Sequence, residues 1–229
     1  VLNMPFENNG TNGGHKDYSG YGNNGSNNGA TWNATGGYDG RGAYRFNLQG
    51  DRINIGDVGA AEGIDKFSVA AWVKVDAFTA DDGIVAKRTS PDQNGWQLLS
   101  YDSGGNHFFW GIWTPTETSV ASTKNKVTGQ WYHVVGVYNS SHLMGYVDGA
   151  LDSTPLAVTG NIVNSNAILQ IGNYWDNTRA FNGTIDDVLI FNRSLSAAQI
   201  LALYNNRTDL IVSQETSVGE VWQACITPN

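Results

Sequence analysis

Phe67-Ser68-Val69-Ala70-Ala71-Trp72-Val73-Lys74-Val75 is the stretch that decides the fold. Its β-branched and aromatic enrichment is that of a strand central to a sheet. Upstream, Ala43-Tyr44-Arg45-Phe46-Asn47-Leu48 and Asp51-Arg52-Ile53-Asn54-Ile55 alternate with period two, so each presents one packed face and one polar face. Downstream, the same reading applies to 83–87, 95–101, 107–113, 131–138, 143–147, 168–171 and 183–191. Between the runs stand turn formers that tolerate positive φ, among them Asn24-Gly25, Asn28-Gly29, Gly36-Gly37, Asp148-Gly149 and Asn182-Gly183. Short strands punctuated this regularly predict an all-β, antiparallel, two-sheet sandwich. One helix interrupts the pattern. Ser196-Ala197-Ala198-Gln199 is a capping box, followed by the apolar stripe Ile200, Leu201, Leu203 and Tyr204, and the helix is expected to stop near Asn205-Asn206.

Composition narrows the class of partner. Of 229 residues only 15% are charged, and 13 Lys and Arg stand against 21 Asp and Glu, for a net charge of −8. No basic run is present, which argues against nucleic acid. Nothing in the sequence reads as a membrane span, and Val1-Leu2-Asn3 reads as folded-domain sequence rather than an export leader. Cys225 is the single cysteine, so neither an internal disulfide nor a thiolate zinc cluster is expected. Seven Asn-X-Ser/Thr sequons, at Asn9, Asn24, Asn33, Asn139, Asn182, Asn192 and Asn206, point to a secreted or cell-surface glycoprotein.

Several segments, in order, resemble the laminin G-like jelly-roll domains of secreted and cell-surface proteins. They are Met4-Pro5-Phe6-Glu7, Asp17-Tyr18-Ser19-Gly20-Tyr21-Gly22-Asn23-Asn24-Gly25, Gly40-Arg41-Gly42-Ala43-Tyr44-Arg45-Phe46, the 67–74 strand, Trp131-Tyr132-His133-Val134-Val135-Gly136-Val137-Tyr138, Gly145-Tyr146-Val147-Asp148-Gly149 and the run 181–196. The resemblance implies a concanavalin A-like sandwich over 1–207. Residues 208–229 read as extra strands or as the start of a second, immunoglobulin-like β module. The fold hosts lectins, adhesion modules and glycosidases alike, so it does not by itself assign a function.

The glycosidases among such fold-mates carry a Glu-x-Asp-x-x-Glu carboxylate set on one strand, because hydrolysis needs two acids at a set separation. That pattern is missing here, and alternation sends Asp186 and Asp187 to opposite faces of their strand. Asp186 would then share a face with Val188 and Ile190. A buried carboxylate there calls for a cation. The resemblance implies a structural calcium joining the N-terminal loop to this strand, with Asp17, Asn23, Asp186 and Asp187 as candidate ligands. His133, inside a strand, reads as structural.

Eight tryptophans supply the binding expectation, because sugars stack on aromatic rings while amides and carboxylates bond their hydroxyls. Trp72 and Trp131 read as core. His107-Phe108-Phe109-Trp110-Gly111-Ile112-Trp113 is aromatic on both faces, and Tyr174-Trp175-Asp176-Asn177 follows a strand as a polar-aromatic loop. Trp110, Trp113, Tyr174, Trp175, Asp176 and Asn177 are therefore the expected ligand-binding residues. The expected function is a non-catalytic extracellular module that binds a glycan or adheres. The alternative is a structural subunit of a filament or surface layer, assembling through edge strands and residues 208–229. A glycoside hydrolase ranks third.

Overall fold

The computed structural model describes residues 1–8, 15–47, 50–59, 62–78, 82–88, 94–101, 105–123, 125–174 and 179–206. The chain begins with β1 (Leu2–Met4), β2 (Ser26–Asn28), β3 (Thr31–Asn33), β4 (Ala43–Asn47) and β5 (Arg52–Gly56). It continues through β6 (Lys66–Val75), β7 (Asp82–Arg88), β8 (Gly95–Tyr101), β9 (His107–Trp113) and β10 (Glu117–Ala121). The last elements are β11 (Trp131–Asn139), β12 (His142–Val147), β13 (Ala150–Leu151), β14 (Leu156–Ala157), β15 (Leu169–Ile171), β16 (Asn182–Phe191) and α1 (Ala197–Tyr204).

Two antiparallel sheets result. One runs β13-β12-β11-β6-β16-β4-β3, with β1 added to β16 and β14 to β12; the other runs β10-β9-β8-β7-β15-β5-β2. The 67–75 run lies at the centre of the larger sheet, as its composition requires, with β11 on one side and β16 on the other. Some neighbours follow one another in sequence, as β7 to β10 do, whereas others, such as β6 beside β16 and β7 beside β15, come from distant parts of the chain, so connections cross between the two sheets. The core between them takes Phe67, Val69, Ala71, Val73 and Val75 from β6, and Trp96, Leu98, Phe108, Trp110 and Ile112 from β8 and β9.

The outer face of the larger sheet is not left to water. Ala70, Val135, Val137 and Tyr146 form a second apolar cluster with Leu195 and Ile200, so α1 and its lead-in lie over that face. The box expected from sequence is present: the Ser196 hydroxyl accepts from Gln199 N at 3.2 Å, and Ser196 N donates to Gln199 Oε1 at 2.8 Å. An eight-residue helix is too short to persist without its cap and its packing. Ser196→Ala is expected to lower stability by about 1 kcal/mol, read as a lower urea midpoint at unchanged slope.

Candidate functional site

The outer face of the seven-stranded sheet carries the chemistry expected for binding. Alternation along β8 and β9 sends Trp96, Leu98, Phe108, Trp110 and Ile112 inward, and leaves Gln97, Tyr101, Phe109 and Trp113 on the other side. Register then lays a row of polar and small residues across five neighbouring strand pairs. Asn54 pairs with Gln170, Gln170 with Ala86, Ala86 with Gln97, Gln97 with Gly111, and Gly111 with Ser119. Gln170 Nε2 donates to Asn54 Oδ1 at 3.2 Å, tying two of the amides together.

Arg88, at the end of β7, organises this face. It pairs with Gly95, where a Cβ would fall 2.0 Å from the Lys87 carbonyl oxygen. The guanidinium lies 4.5 Å from the Trp113 ring and 5.3 Å from the Tyr174 ring. Its Nη1 donates to Gln97 Oε1 at 2.9 Å and to the Tyr174 hydroxyl at 3.0 Å. Arg179 adds a second guanidinium 5.5 Å from Tyr174. Tyr174 is itself pinned from behind, because a Cβ on Gly83 would fall 2.3 Å from the Asn173 carbonyl carbon and 2.6 Å from Tyr174 Cβ. Beside this cluster, the half-buried rings of Tyr101 and Phe109 pair at 5.4 Å, with Phe109 resting on Ala86, Leu99 and Tyr174.

The expected ligand residues divide accordingly. Trp113 and Tyr174 are brought together, one on each side of Arg88, but at 2% and 4% exposure their faces are taken by guanidinium rather than offered to a sugar. Trp110 is a correction: it faces inward, 2% exposed, against Gly136 and Gly145 of the opposite sheet. Trp175, Asp176 and Asn177 lie outside the described residues. Arg88 and Gln97 were not singled out by sequence, where a Lys-Arg pair closing an apolar run carries no local signal.

A second cluster lies on the outer face of the larger sheet. The pairing of β16 with β6 shifts register between Asp186 and Leu189, and Asp187 has φ 45°. This bulge overturns the simple alternation. Asp186 pairs with Trp72, on the face away from the core, while Ile185, Val188 and Ile190 all remain in the core. Both carboxylates therefore lie beside Tyr38 instead of on opposite faces. Tyr38 N donates to Asp186 Oδ2 at 3.3 Å, and the Tyr38 hydroxyl bonds the Asp187 carboxylate. The turn closes tightly on Asp186, since a Cβ on Gly37 would sit 2.5 Å from Oδ2.

Burial, then the neighbouring Asp187 charge, pushes Asp186 up to about 8. Burial likewise pushes Asp187 up to about 6, and it raises the Tyr38 phenol. Tyr38 stacks on Trp72 with centroids 4.0 Å apart, and Tyr204 of α1 stacks on Trp72 at 5.7 Å. Trp72, and Trp131 with Lys74 over its ring, are thus outer-face residues and not core ones. His133 lies beside Trp72 with its Nδ1 unpartnered, and burial holds it down to about 4, so it is neutral at physiological pH. Tyr18, Tyr38, Trp72, His133, Asp187 and Leu203 line a depression of about 430 Å³ here.

Asp17 is occupied by its own loop. Its Oδ1 accepts from Asn3 N and Ser19 N, and its Oδ2 from the Ser19 hydroxyl and Asn23 N, at 2.8–3.0 Å. Burial pulls this carboxyl up, but the four hydrogen bonds hold it below its ordinary value. Asn23 Nδ2 donates to Val1 O at 2.9 Å, which closes the loop on the N-terminal strand. Among the described residues, no three His, Cys, Asp or Glu side chains group as a metal site. Of the sequon asparagines, Asn24, Asn33, Asn192 and Asn206 are exposed, Asn139 and Asn182 are half-buried, and Asn9 lies outside the described residues.

The match to the concanavalin A-like lectin/glucanases superfamily covers residues 47–201. The chain belongs to this superfamily. Among solved structures, domain 4 of AbnA, an extracellular GH43 arabinanase from Geobacillus stearothermophilus solved with arabinotriose, aligns at TM-score 0.72 and 22% identity. That alignment covers 89% of this chain and 97% of the other. The binding domain of Paraclostridial Mosquitocidal Protein 1 aligns at 0.66 and 18% identity, over 83% of this chain and 49% of the other. The botulinum neurotoxin serotype G binding domain aligns at 0.64 and 20% identity, over 90% and 50%. This chain thus spans about half the length of the two toxin domains. At these identities the likeness to the three solved structures is one of fold. No curated protein sequence matches the chain.

Proposed function

We propose that this chain is a non-catalytic glycan-binding module of a secreted or cell-surface protein, and that its ligand lies across the outer face of the seven-stranded sheet. The observation that carries the reading is the half-exposed Tyr101–Phe109 ring pair, with Phe109 packed on Tyr174, the hydrogen-bond partner of Arg88. Rings of this kind stack on the apolar faces of sugars, and fixed guanidinium and amide donors bond hydroxyls. The arabinotriose held by the arabinanase domain makes that oligosaccharide the first probe to use. Replacing Phe109 and Tyr101 together by alanine is expected to weaken oligosaccharide binding at least about tenfold while leaving the fold intact. Titration calorimetry against a panel that includes arabinotriose, with thermal melting as control, measures both. Unchanged affinity in the double variant places the ligand elsewhere.

A structural calcium ion belongs to the same reading. With all four of Asp17's hydrogen bonds committed to its loop, the reading narrows to Asp186 and Asp187. Burial raises the proton affinity of both carboxylates, the Asp187 charge raises that of Asp186 further, and a cation relieves that cost. Their oxygens would be joined by backbone carbonyls and water, as calcium's six to eight ligands require.

A second reading, assembly into a filament or surface layer, is favoured by one feature. Leu151 and Leu156, on β13 and β14 at one edge of the larger sheet, are exposed apolar side chains that a second copy could cover. Residues 208–229, the other proposed contact, lie outside the described residues, as does Cys225. Light scattering after size exclusion separates this reading from a monomeric glycan binder.

A further inference from the structure

The outer face of the seven-stranded sheet departs from the charge of the chain as a whole. The sequence is acidic, with 21 Asp and Glu against 13 Lys and Arg. Yet this face gathers Arg52 on β5, Arg88 on β7 and Arg179, just ahead of the bridge between Gly83 and Ala180. Among the described outward strand positions of this sheet, the carboxylate is Glu117, exposed at its β10 edge.

A guanidinium taken partly out of water normally meets an anion. Neither Arg52 nor Arg88 has an acidic partner among the described residues. In both, the Nε–H is buried without a hydrogen-bond partner. Arg88 is also held in place before any ligand arrives. Trp113 and Tyr174 fix its plane, and both bonds to Gln97 and Tyr174 are made through Nη1. The Nε side of the fork is left unmatched. That edge of a guanidinium presents two parallel N–H groups, the geometry that meets both oxygens of one carboxylate. A sugar hydroxyl satisfies one of them at most.

Resting on the glycan-binding reading above, we infer that this face selects acidic glycans, with the carboxylate of one uronic acid residue seated on Arg88 and a further residue of the same chain stacked on Phe109 and Tyr101. The long-range repulsion of an acidic protein does not prevent this, because salt screens charges beyond about 8 Å while a contact pair is screened far less. Arg52 then serves a neighbouring acidic residue of the same polymer.

The probe is tri-galacturonate, compared by calorimetry with its fully methyl-esterified, neutral counterpart. The acid is expected to bind about tenfold more tightly in dilute buffer, and to keep an advantage of about threefold in about 500 mM NaCl. Arg88→Gln is expected to bring acid and ester to within about twofold of each other. Arg88→Lys keeps the charge but not the fork, and is expected to lose most of the preference as well. Should either variant melt early, the wild-type comparison of acid with ester still decides the matter. Equal affinity for acid and ester, or arabinotriose binding without tri-galacturonate binding, overturns the preference and leaves the glycan-binding reading standing. Failure of every oligosaccharide overturns both.

Discussion

The Gly145→Val variant is expected not to fold stably at room temperature, and Trp110→Ala to lose about 3–5 kcal/mol of stability. The two residues belong to different sheets. Gly136 and Gly145 face each other directly across the β11–β12 ladder, and the indole of Trp110 from β9 fills the gap they leave. A Cβ on Gly145 would lie 2.2 Å from Trp110 Cζ3, and one on Gly136 would lie 2.3 Å from Trp110 Cδ1. These are rigid ring atoms in a buried site, so relief requires the sheets to part. Overpacking costs about 1–3 kcal/mol where neighbours yield, and more where they do not. Against a total stability of about 5–15 kcal/mol, either change is severe.

Coupling tests the geometry more sharply than either variant alone. Gly145→Ala combined with Trp110→Leu is expected to be less destabilised than the sum of the single changes, by about 1 kcal/mol or more. Guanidinium unfolding of the four proteins measures this directly. Additive costs, or a Gly145→Ala variant as stable as the parent, would mean that Trp110 does not fill this gap.

The two-sheet sandwich was legible because two of its long strands, β6 and β11, are apolar runs with β-branched and aromatic side chains, and because Ser196 and Gln199 mark the helix locally. The short edge strands β1, β2, β3, β10, β13 and β14 were not. Strands of two to five residues beside a turn carry too little periodicity to be told from loop. The site was half legible. Trp113 and Tyr174 were singled out for their aromatic character, but only register shows that Trp113 faces out while Trp110 faces in. Arg88 escaped notice because its partners Gln97, Trp113 and Tyr174 come from two other strands and a loop, and no local window contains them. The Asp186–Asp187 bulge misled the reading most. Strict alternation assigned the pair to opposite faces, whereas one inserted residue moves Asp186 to the Trp72 face and both acids to Tyr38. Trp72 illustrates the related limit that an outer face covered by a helix reads, in sequence, like a core.

That acid pair yields the second large expectation: without calcium, the protein loses stability as pH rises from about 6.5 to 8. Folded, Asp186 keeps its proton up to about pH 8, whereas its ordinary value is 3.8. The folded chain therefore binds more protons than the unfolded chain between those values. Stabilisation from the protonated carboxyl is complete below pH 4 and is lost as pH climbs through 8. One proton of difference corresponds to about 1.4 kcal/mol per pH unit, so a slope on the order of 1 kcal/mol per unit is expected. The window matters. His133, held down to about 4 by burial, acts with the opposite sign, destabilising the fold as pH falls below 6.5. Asp187, at about 6, has largely ionised by the start of the window. Tyr38, Asp39, Asp187 and, around Asp187, Glu7 and Arg41 are the charged or titratable groups that set this field. Denaturant unfolding of the parent and of Asp186→Asn at matched pH isolates the effect, since the difference between their slopes belongs to Asp186. Calcium at about 1 mM is expected to flatten the parent's slope and raise its melting temperature, because a bound cation stabilises the ionised pair and leaves Asp186→Asn little changed. Identical slopes in the two proteins would show that Asp186 ionises normally, and a melting temperature indifferent to calcium and to chelator would dismiss the ion.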